Sequence, residues 1–386
     1  MNSVRALAQH PAVQAALASF SADIEPLIAL TIAIQQIPAP TFAEQARAEF
    51  VQAHLNALGL RDIFRDEVGN VYGRYPGQHP GAPPVVVSAH GDTVFPAGTD
   101  LSVRREGALV HGPGISDNSA GVAGVLQLAA TLPRFALRPP ADIWWVINVR
   151  EEGLGDLGGM RAVAARFPQA AAFVVVEGGV YGSILHEAIG VRRYRVQVKT
   201  VGGHSWSDFG RTSAIHVLGQ IIAAIACLPV PAEPRTTYNV GLIEGGTSVN
   251  TIAASAGLLL DLRSQDATEL LRLVQAVTQI VADIRARVEA EITLETVGDR
   301  PAGRLTREAP LVTWAGEALR SVYPGDISYL AGSTDANIPL SLGLPAVCIG
   351  LARGHNAHRL DEYLDTTDLP RGMQQLLLLT LAAAGF

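Results

Sequence analysis

The chain has few cysteines, almost no lysine and no long uninterrupted apolar stretch. Its two cysteines, Cys227 and Cys348, are too few for a disulfide framework. Both occur in apolar runs, so we expect buried free thiols in a reducing compartment such as the cytoplasm. Lys199 is the only lysine, which excludes a GxxxxGK[ST] phosphate-binding loop. Because no run of 18 apolar residues is present, we expect no association with a membrane.

The charge of the chain is mildly acidic. The 36 Asp and Glu residues outnumber the 29 Lys and Arg residues, and no basic cluster occurs, so we expect no nucleic-acid partner. Gln, His and Pro interrupt the N-terminal segment MNSVRALAQHPAVQAALASF, which predicts a surface helix rather than a signal peptide. With 386 residues, 48% of them apolar, the chain is long enough for two domains.

Four short apolar runs are typical of strands that are buried on both faces, as in a mostly parallel sheet. The runs are PVVVSA (84–89), IWWVINV (143–149), AAFVVV (171–176) and PAVCIG (345–350). Helical patterns such as SAGVAGVLQLAATL (119–132) lie between them. Strands that alternate with helices predict an α/β domain.

A different pattern occupies residues 189–300. The alternating segment VRRYRVQVKT opens an order β-α-β-β-α-β, which is that of a ferredoxin-like α+β sheet. The buried-strand pattern then resumes at PAVCIG. We therefore predict a first domain formed by residues 1–188 and 301–386, interrupted by an inserted lid domain over residues 189–300.

Each of the four apolar runs is followed by His, Asp or Glu, the residue types that commonly serve as metal ligands. In chain order these are His90 and Asp92, Glu151 and Glu152, Glu177, and His358, while Asp117 lies in the separate loop HGPGISDNSAG. Sites in open α/β sheets form beyond the carboxyl ends of the strands. A lone carboxylate there is usually a loop-facing group or a helix cap. Imidazoles and carboxylates on several separate strands predict a metal site instead.

Two imidazoles with several carboxylates suit Zn²⁺, with Mn²⁺ or Co²⁺ as alternatives. Five ligands are too many for one open tetrahedral ion and suit two ions that share one carboxylate. The five candidates are His90, Asp117, Glu152, Glu177 and His358. One glutamate is then left to accept a proton from water. Asp92, two residues beyond His90, is placed to orient the imidazole.

Other catalytic schemes have little support in the sequence. No G-x-S-x-G or H-E-x-x-H motif is present. Ser205 follows His204 directly, and adjacent residues rarely form a nucleophile–base pair. The glycine-rich loop has the form of a phosphate cradle, but Asp117 within it would repel a phosphate.

In these motifs the chain resembles the dinuclear zinc hydrolases of metallopeptidase family 20. That family includes peptidase T, glutamate carboxypeptidase, aminoacylase and succinyl-diaminopimelate desuccinylase. The matching segments follow the family's order over about residues 85–365 and are SAHGDTV, GPGISDNSAG, REEGLG, VVVEGG, GGHSWSDFGRTSAI, GGTSVNTIA, DLRS, GSTDANI and HNAHRLDEY.

The resemblance implies a zinc-exopeptidase-like catalytic domain with two zinc ions. His90, Asp117 and Glu177 would hold one ion. Asp117, Glu152 and His358 would hold the other, with Asp117 as the bridge. Glu151 would be the general base.

The resemblance also implies roles for the inserted domain. His204 is similar to the lid histidine that stabilises the oxyanion and is often supplied by the partner subunit. Asn250 and Arg263 are similar to groups that bind the substrate's carboxylate, a task that suits the planar fork of arginine. The lid of the family is also its usual dimerisation surface, so we expect a homodimer.

Two features distinguish this chain among members of the family, one near the metal ligands and one related to the substrate. Asn118 and Ser119 stand where many members have Asp and Lys, but these positions are not ligands, so we expect metal binding to be kept. Glu177 is typical of carboxypeptidases and acylases, whereas GGHSWSDFG is similar to peptidase T-like proteins. We expect an exopeptidase that cleaves an amide of a short peptide or N-acyl amino acid. An N-acyl-amino-acid deacylase or desuccinylase is the alternative, and a non-catalytic binding protein on the same scaffold is a further one.

Overall fold

The computed structural model describes residues 4–386. The chain divides into two compact units. Unit 1 comprises the chain up to Ala188 together with Arg304–Phe386, and unit 2 comprises Ile189–Gly303. The predicted inserted domain, residues 189–300, covers nearly the same stretch as unit 2.

The described residues form nineteen strands and eleven α-helices, distributed over both units. In chain order the strands are β1 (Arg61–Arg65), β2 (Val71–Tyr75), β3 (Val85–His90), β4 (Arg104–Glu106), β5 (Leu109–His111), β6 (Ile143–Asn148), β7 (Ala172–Glu177), β8 (Ser183–Ala188), β9 (Gly190–Lys199), β10 (Gly203–His204), β11 (Thr236–Gly245), β12 (Thr251–Ile252), β13 (Ser255–Ser264), β14 (Glu291–Arg300), β15 (Gly303–Arg304), β16 (Ser328–Gly332), β17 (Ala346–Gly350), β18 (Arg353–His355) and β19 (Tyr363–Asp365). The helices are α1 (Val4–Leu7), α2 (Pro11–Ala22), α3 (Glu25–Gln35), α4 (Gln45–Ala57), α5 (Ala120–Arg134), α6 (Gly158–Arg166), α7 (Ala214–Ala226), α8 (Ala267–Arg285), α9 (Pro310–Val322), α10 (Asn337–Ser341) and α11 (Leu369–Ala383).

A mixed nine-stranded sheet forms the centre of unit 1. Its order is β1-β2-β6-β3-β7-β17-β8-β15, with β16 beside β8. The four strands predicted from the apolar runs are its contiguous middle, β6-β3-β7-β17, and all four are parallel. Antiparallel strands flank them, because β2 pairs with β6 and β8 with β17 in that sense. The prediction of an α/β fold is confirmed.

The central strands lack polar alternation because both of their faces are buried. In β3, Val85 and Val87 belong to the core on one face of the sheet, and Val86 belongs to the core on the other. Helices α1–α5, α9 and α11 supply the first core, and α6 and α10 supply the second. Unit 1 therefore has three layers, and the carboxyl ends of its parallel strands open at one edge.

Unit 2 is an antiparallel sheet with two helices. The strand order is β11-β13-β9-β14, and α7 and α8 pack against it through a separate apolar core. In β9 the residues Tyr194, Val196 and Val198 are buried in that core while alternate residues are more exposed. This alternation is what one buried face requires. Helix α8 is capped by Asp266, whose side chain accepts from the backbone N–H groups of Thr268 and Glu269.

The two cysteines differ in their exposure to solvent. Cys348 is fully buried in β17, as predicted, but Cys227 is exposed, and the prediction of a buried thiol there was wrong. Cys227 follows the last residue of α7, where the apolar stripe of the helix has already ended.

Within residues 4–386 no single helix is long and apolar enough to cross a membrane, and α2 and α3 reach that length only together, across a bend of 68°.

The chain leaves and re-enters unit 1 on neighbouring strands, since the backbone N–H of Leu305 donates to the carbonyl oxygen of His186 at 2.9 Å. Replacing residues 189–303 by a short Gly/Ser linker should therefore leave unit 1 folded, with one cooperative thermal transition by circular dichroism. The separately expressed residues 189–303 provide the matched control and should also unfold cooperatively. A truncated chain with no cooperative transition would show that unit 1 needs unit 2 to fold.

Candidate metal centre

The carboxyl ends of the central strands bring the predicted ligands of unit 1 together. β3 ends at His90 and β7 at Glu177, and the chain after β6 carries Glu152. The Nε2 atom of His90 lies 3.1 Å from an oxygen of Asp117 and 3.7 Å from an oxygen of Glu177. The ligand atoms of His90, Asp117 and Glu152 all lie within 4.8 Å of one another.

His358 completes the cluster from the other side. Its Nε2 atom lies 3.0 Å from Asp117 Oδ2 and 3.2 Å from Glu152 Oε1. Asp117 thus faces His90 with Oδ1 and His358 with Oδ2. One carboxylate stands between two imidazoles, and each imidazole has a further carboxylate beside it.

The donor set fits divalent metal ions. Three carboxylates, Asp117, Glu152 and Glu177, converge in a largely buried place, and no Lys or Arg of residues 4–386 forms an ion pair with them. Nδ1 of His90 faces the carbonyl oxygen of Asp92 at 3.1 Å, so an N–H at Nδ1 leaves Nε2 as the ligand atom. Such a concentration of negative charge needs a cation.

The pKa values show how protons fill that need when no metal is bound. Burial disfavours the imidazolium of His90, but the charge of Glu177 and the contact with Asp117 outweigh it and raise the pKa of His90 well above its usual value. Contacts with Asp117 and Glu152 raise the pKa of His358 to about 10. Burial would raise the pKa of Asp117, but its bonds to the two histidines hold it well below the ordinary value. Metal binding must therefore displace protons from the histidines.

Asp92 does more than the sequence predicted. Besides its position beside the His90 ring, its carboxylate accepts from the backbone N–H groups of Glu151 and Glu152, each at 2.9 Å. It also accepts from the hydroxyl of Thr41 at 2.9 Å. Asp92 therefore fixes the backbone of both glutamates as well as lying against a ligand histidine.

Asn118 ties the loop of Asp117 to the end of β7. Its Nδ2 donates to the carbonyl oxygen of Val176 at 2.8 Å, and its Oδ1 accepts from Gly178 N at 2.8 Å. These two residues flank Glu177. The amide of Asn118 thus serves as both donor and acceptor to buried backbone groups, which explains how an amide fits at this position.

Glu362 is a buried carboxylate for which the sequence predicts no role. Its carboxylate accepts four hydrogen bonds. Three come from the backbone N–H groups of Gly114, Ser116 and Asp117, at 2.8–3.0 Å, and the fourth comes from the Ser116 hydroxyl, at 2.7 Å. The carbonyl oxygen of Glu362 accepts from Gly112 N at 2.9 Å. The turn that carries His358 is thus fastened to the loop that carries Asp117. The motif HRLDEY contained the residue, but its partners lie far away in the sequence.

Two further buried charges lie behind the ligands. The guanidinium of Arg47, only 2% exposed, donates to the carbonyl oxygens of Gly91 and Ile37, and burial lowers its pKa to about 10 despite the charge of Asp92. Asp335 accepts from Nδ2 of Asn148 at 2.7 Å, and burial raises its pKa to about 7. Nothing in the local sequence marks Arg47, whereas Asp335 belongs to the segment GSTDANI.

The predicted residues of unit 2 fall into two places. His204 pairs with Thr251 in the β10–β12 ladder, and Ser205 N donates to the carbonyl oxygen of Asn250 at 3.0 Å, so His204 and Asn250 are neighbours. Thr251, the partner of His204, lies only four residues before Ser255, at which β13 begins. Arg263 lies near the opposite end of β13, about 26 Å from Ser255 at the usual rise per residue. There its Nε donates to Asp261 at 2.6 Å. The structure does not bring Arg263 beside the other two.

Replacing Glu362 by Gln should weaken metal binding by about 10- to 100-fold, as loss of a group that orients a ligand typically does. The amide would place a donor against a backbone N–H of the Asp117 loop. Competition with a chromophoric chelator measures the metal affinity. Glu25→Gln removes an exposed carboxylate and serves as the control. Unchanged affinity in a folded Glu362→Gln protein would contradict this role, and Ser116→Ala, which removes one of the four donors, should give a smaller loss.

Comparison with known proteins places the chain in one family. The model of peptidase family M20/M25/M40 matches residues 86–382. A putative succinyl-diaminopimelate desuccinylase DapE of Mycobacterium tuberculosis is 28% identical over 345 residues, 87% of this chain and 92% of the relative. The acetylornithine deacetylase of Myxococcus xanthus is 26% identical over 347 residues, 84% of this chain and 88% of the relative.

Solved structures show the same fold at low sequence identity. The aminopeptidase PepT of Bacillus cereus superposes with a TM-score of 0.77 at 19% identity, covering 94% of this chain and 99% of that one. The di-peptidase Dug1p of Saccharomyces cerevisiae gives a TM-score of 0.78 at 15% identity, covering 96% and 98%. The predicted resemblance is confirmed: the chain belongs to peptidase family M20/M25/M40, whose enzymes depend on metal ions, and is a hydrolase of amide bonds.

Proposed function

We propose that the protein holds two divalent ions, zinc by preference and manganese or cobalt as alternatives, and cleaves an amide of a short peptide or N-acyl amino acid. His90, Asp117 and Glu177 would hold one ion, and Asp117, Glu152 and His358 the other. The observation that carries this proposal is the position of Asp117, with one oxygen toward each histidine. A carboxylate so placed suits a bridge between two ions.

Metal ions at such a site activate a water molecule and polarise the carbonyl of the substrate. The residue we assign to proton transfer is Glu151, which is buried and adjacent in sequence to the ligand Glu152. Side chains of adjacent residues in extended backbone point in opposite directions. With both backbones held by Asp92, Glu152 is free to serve as a ligand while Glu151 takes a proton from water and returns it to the leaving amine.

His204 has the tautomer that oxyanion stabilisation requires. Its Nδ1 accepts from the backbone N–H groups of Trp206 and Ser207, at 3.2 and 3.4 Å. In the neutral imidazole the proton must then be on Nε2, which becomes an exposed donor. Asn250 Oδ1 accepts from the Ser248 hydroxyl at 2.6 Å, and this leaves its amide N–H groups as donors for a carboxylate.

We further propose a homodimer formed through unit 2, which would act as a lid. Strand β11 is the edge of the unit 2 sheet, and its second half is exposed, including Leu242 and Ile243. Exposed apolar edge strands favour pairing with a second copy. We assign His204 to oxyanion stabilisation in the site of the partner subunit, and Asn250 and Arg263 to binding of the substrate's carboxylate. Reduced cysteines also favour a cytoplasmic location.

The alternative is an N-acyl-amino-acid deacylase or desuccinylase. The relatives named as desuccinylase and acetylornithine deacetylase favour this alternative, and the solved PepT and Dug1p structures, which show the fold alone, leave both open. All the residues proposed for catalysis are present, which speaks against a non-catalytic binding protein. The two enzymatic activities differ in whether the substrate has a free amine or an acyl block.

Glu151 and Glu152 should separate metal binding from turnover. Glu151→Gln should keep the native metal content but lower kcat by on the order of 10²- to 10⁴-fold, because only the proton acceptor is lost. Glu152→Gln should lose metal. Elemental analysis after gel filtration and steady-state kinetics measure the two effects. A Glu151→Gln enzyme that turns over at the native rate would overturn its assignment as the base.

A panel of dipeptides blocked at the N-terminus, at the C-terminus or at neither should define the reaction. Hydrolysis of N-acetylated members is expected for a carboxypeptidase or deacylase, because no free amine is then needed. If instead acetylation abolishes hydrolysis, the enzyme is an aminopeptidase or dipeptidase. Absence of hydrolysis of every member, in protein loaded with zinc or manganese, would refute amide hydrolysis of short substrates. The initial rate by chromatography is the measurement.

A further inference from the structure

The large apolar side chains that unit 1 exposes are concentrated on the loops of the metal centre. Seven such side chains are exposed among the described residues of unit 1, and five of them lie within three positions in sequence of a residue that builds the centre. The five are Phe42, Val94, Leu154, Val180 and Leu360, and the other two are Leu330 and Leu342.

Each of the five follows a functional group in the sequence. Phe42, 61% exposed, comes after Thr41, whose hydroxyl donates to Asp92. Leu154, 55% exposed, comes two residues after Glu152, and Leu360, 72% exposed, two residues after His358.

The remaining two follow the same rule. Val94 comes two residues after Asp92, and Val180 three residues after Glu177, and each is 37% exposed. Single exposed apolar side chains are normal on a protein surface. Here they recur on five separate segments that carry residues of one centre, and groups of exposed apolar side chains are typical of binding sites.

Three arginines on these loops already have partners within the chain. Arg359 pairs with Asp361 at 2.8 Å, and Arg353 pairs with Asp368 at 3.1 Å. The guanidinium of Arg150 lies over the Phe42 ring, 5.5 Å from its centroid, in a cation–π contact.

We propose that the substrate places a large apolar group, an aliphatic or aromatic side chain or an acyl chain, against Phe42, Val94, Leu154, Val180 and Leu360. This inference rests on the proposed amide hydrolysis and names its substrate class. The enzyme then prefers amides flanked by Leu or Phe to those flanked by Asp or Lys. Succinyl-diaminopimelate, the compound in the name of one relative, is charged at both ends and falls in the disfavoured class.

The test is a matched substrate series with the metal-loaded full-length enzyme. Within the series that the enzyme cleaves, dipeptides or N-acetyl amino acids, the varied residue is Ala, Leu, Phe, Asp or Lys. We expect kcat/KM for Leu and Phe to exceed that for Ala by about tenfold or more, the range that an apolar contact supplies. Equal or higher kcat/KM for Asp or Lys would overturn the inference while leaving amide hydrolysis intact. No hydrolysis of any member would overturn both.

Variants assign the preference to the loops. Leu154→Ser and Leu360→Ser should each lower the ratio of kcat/KM for Leu over Ala substrates severalfold, mainly through KM, with the metal content unchanged. Leu342→Ser is the control, since Leu342 is 61% exposed and distant in sequence from every ligand. Unchanged ratios in both loop variants would overturn the inference. So would a change in sedimentation without a change in preference, since the side chains would then cover an interface between copies.

Discussion

Repulsion among three carboxylates dominates the metal centre. Asp117, Glu152 and Glu177 converge in a space that excludes most water, and each costs free energy to bury without a positive partner. The two histidines beside Asp117 neutralise part of this negative charge when they are protonated, and a divalent ion neutralises more of it. Because the carboxylates push one another apart, the loops that carry them must be held from behind. Asp92, Asn118 and Glu362 provide that restraint by bonding backbone N–H and carbonyl groups.

The sequence was most informative where function and fold share one signal. A strand buried on both faces must be continuously apolar, so the run ending at His90 revealed both the strand and the place where a polar group begins. The same reasoning located Glu152 and Glu177. It did not find Glu362, whose partner Asp117 lies 245 positions away. It did not find Arg47 either, since an arginine on an amphipathic helix is usually exposed, and only the packing of α4 behind Gly91 buries it.

Unit 2 shows the same limit at a larger scale. The motifs around His204, Asn250 and Arg263 can be recognised one by one, but the distances among them depend on strand pairing. The β10–β12 ladder places His204 next to Asn250, while the length of β13 moves Arg263 to the other end of the sheet. A set of residues to which the family resemblance assigns related roles is therefore split between two places within unit 2. Exposure was likewise invisible in the sequence, since Phe42 and Leu360 look there like any other core residues.

The clamp formed by Glu362 also has a consequence for biosynthesis. His90, Asp117, Glu152 and Glu177 leave the ribosome early, but the loop of Asp117 has no carboxylate to hold it until Glu362 has been made. Between them the whole of unit 2 is translated. An unfinished chain thus carries exposed acidic ligands without the restraint that gives them a defined spacing, and the centre acquires its geometry only as a last step. The spacing of the ligands described here therefore requires a chain that is complete at least to Glu362.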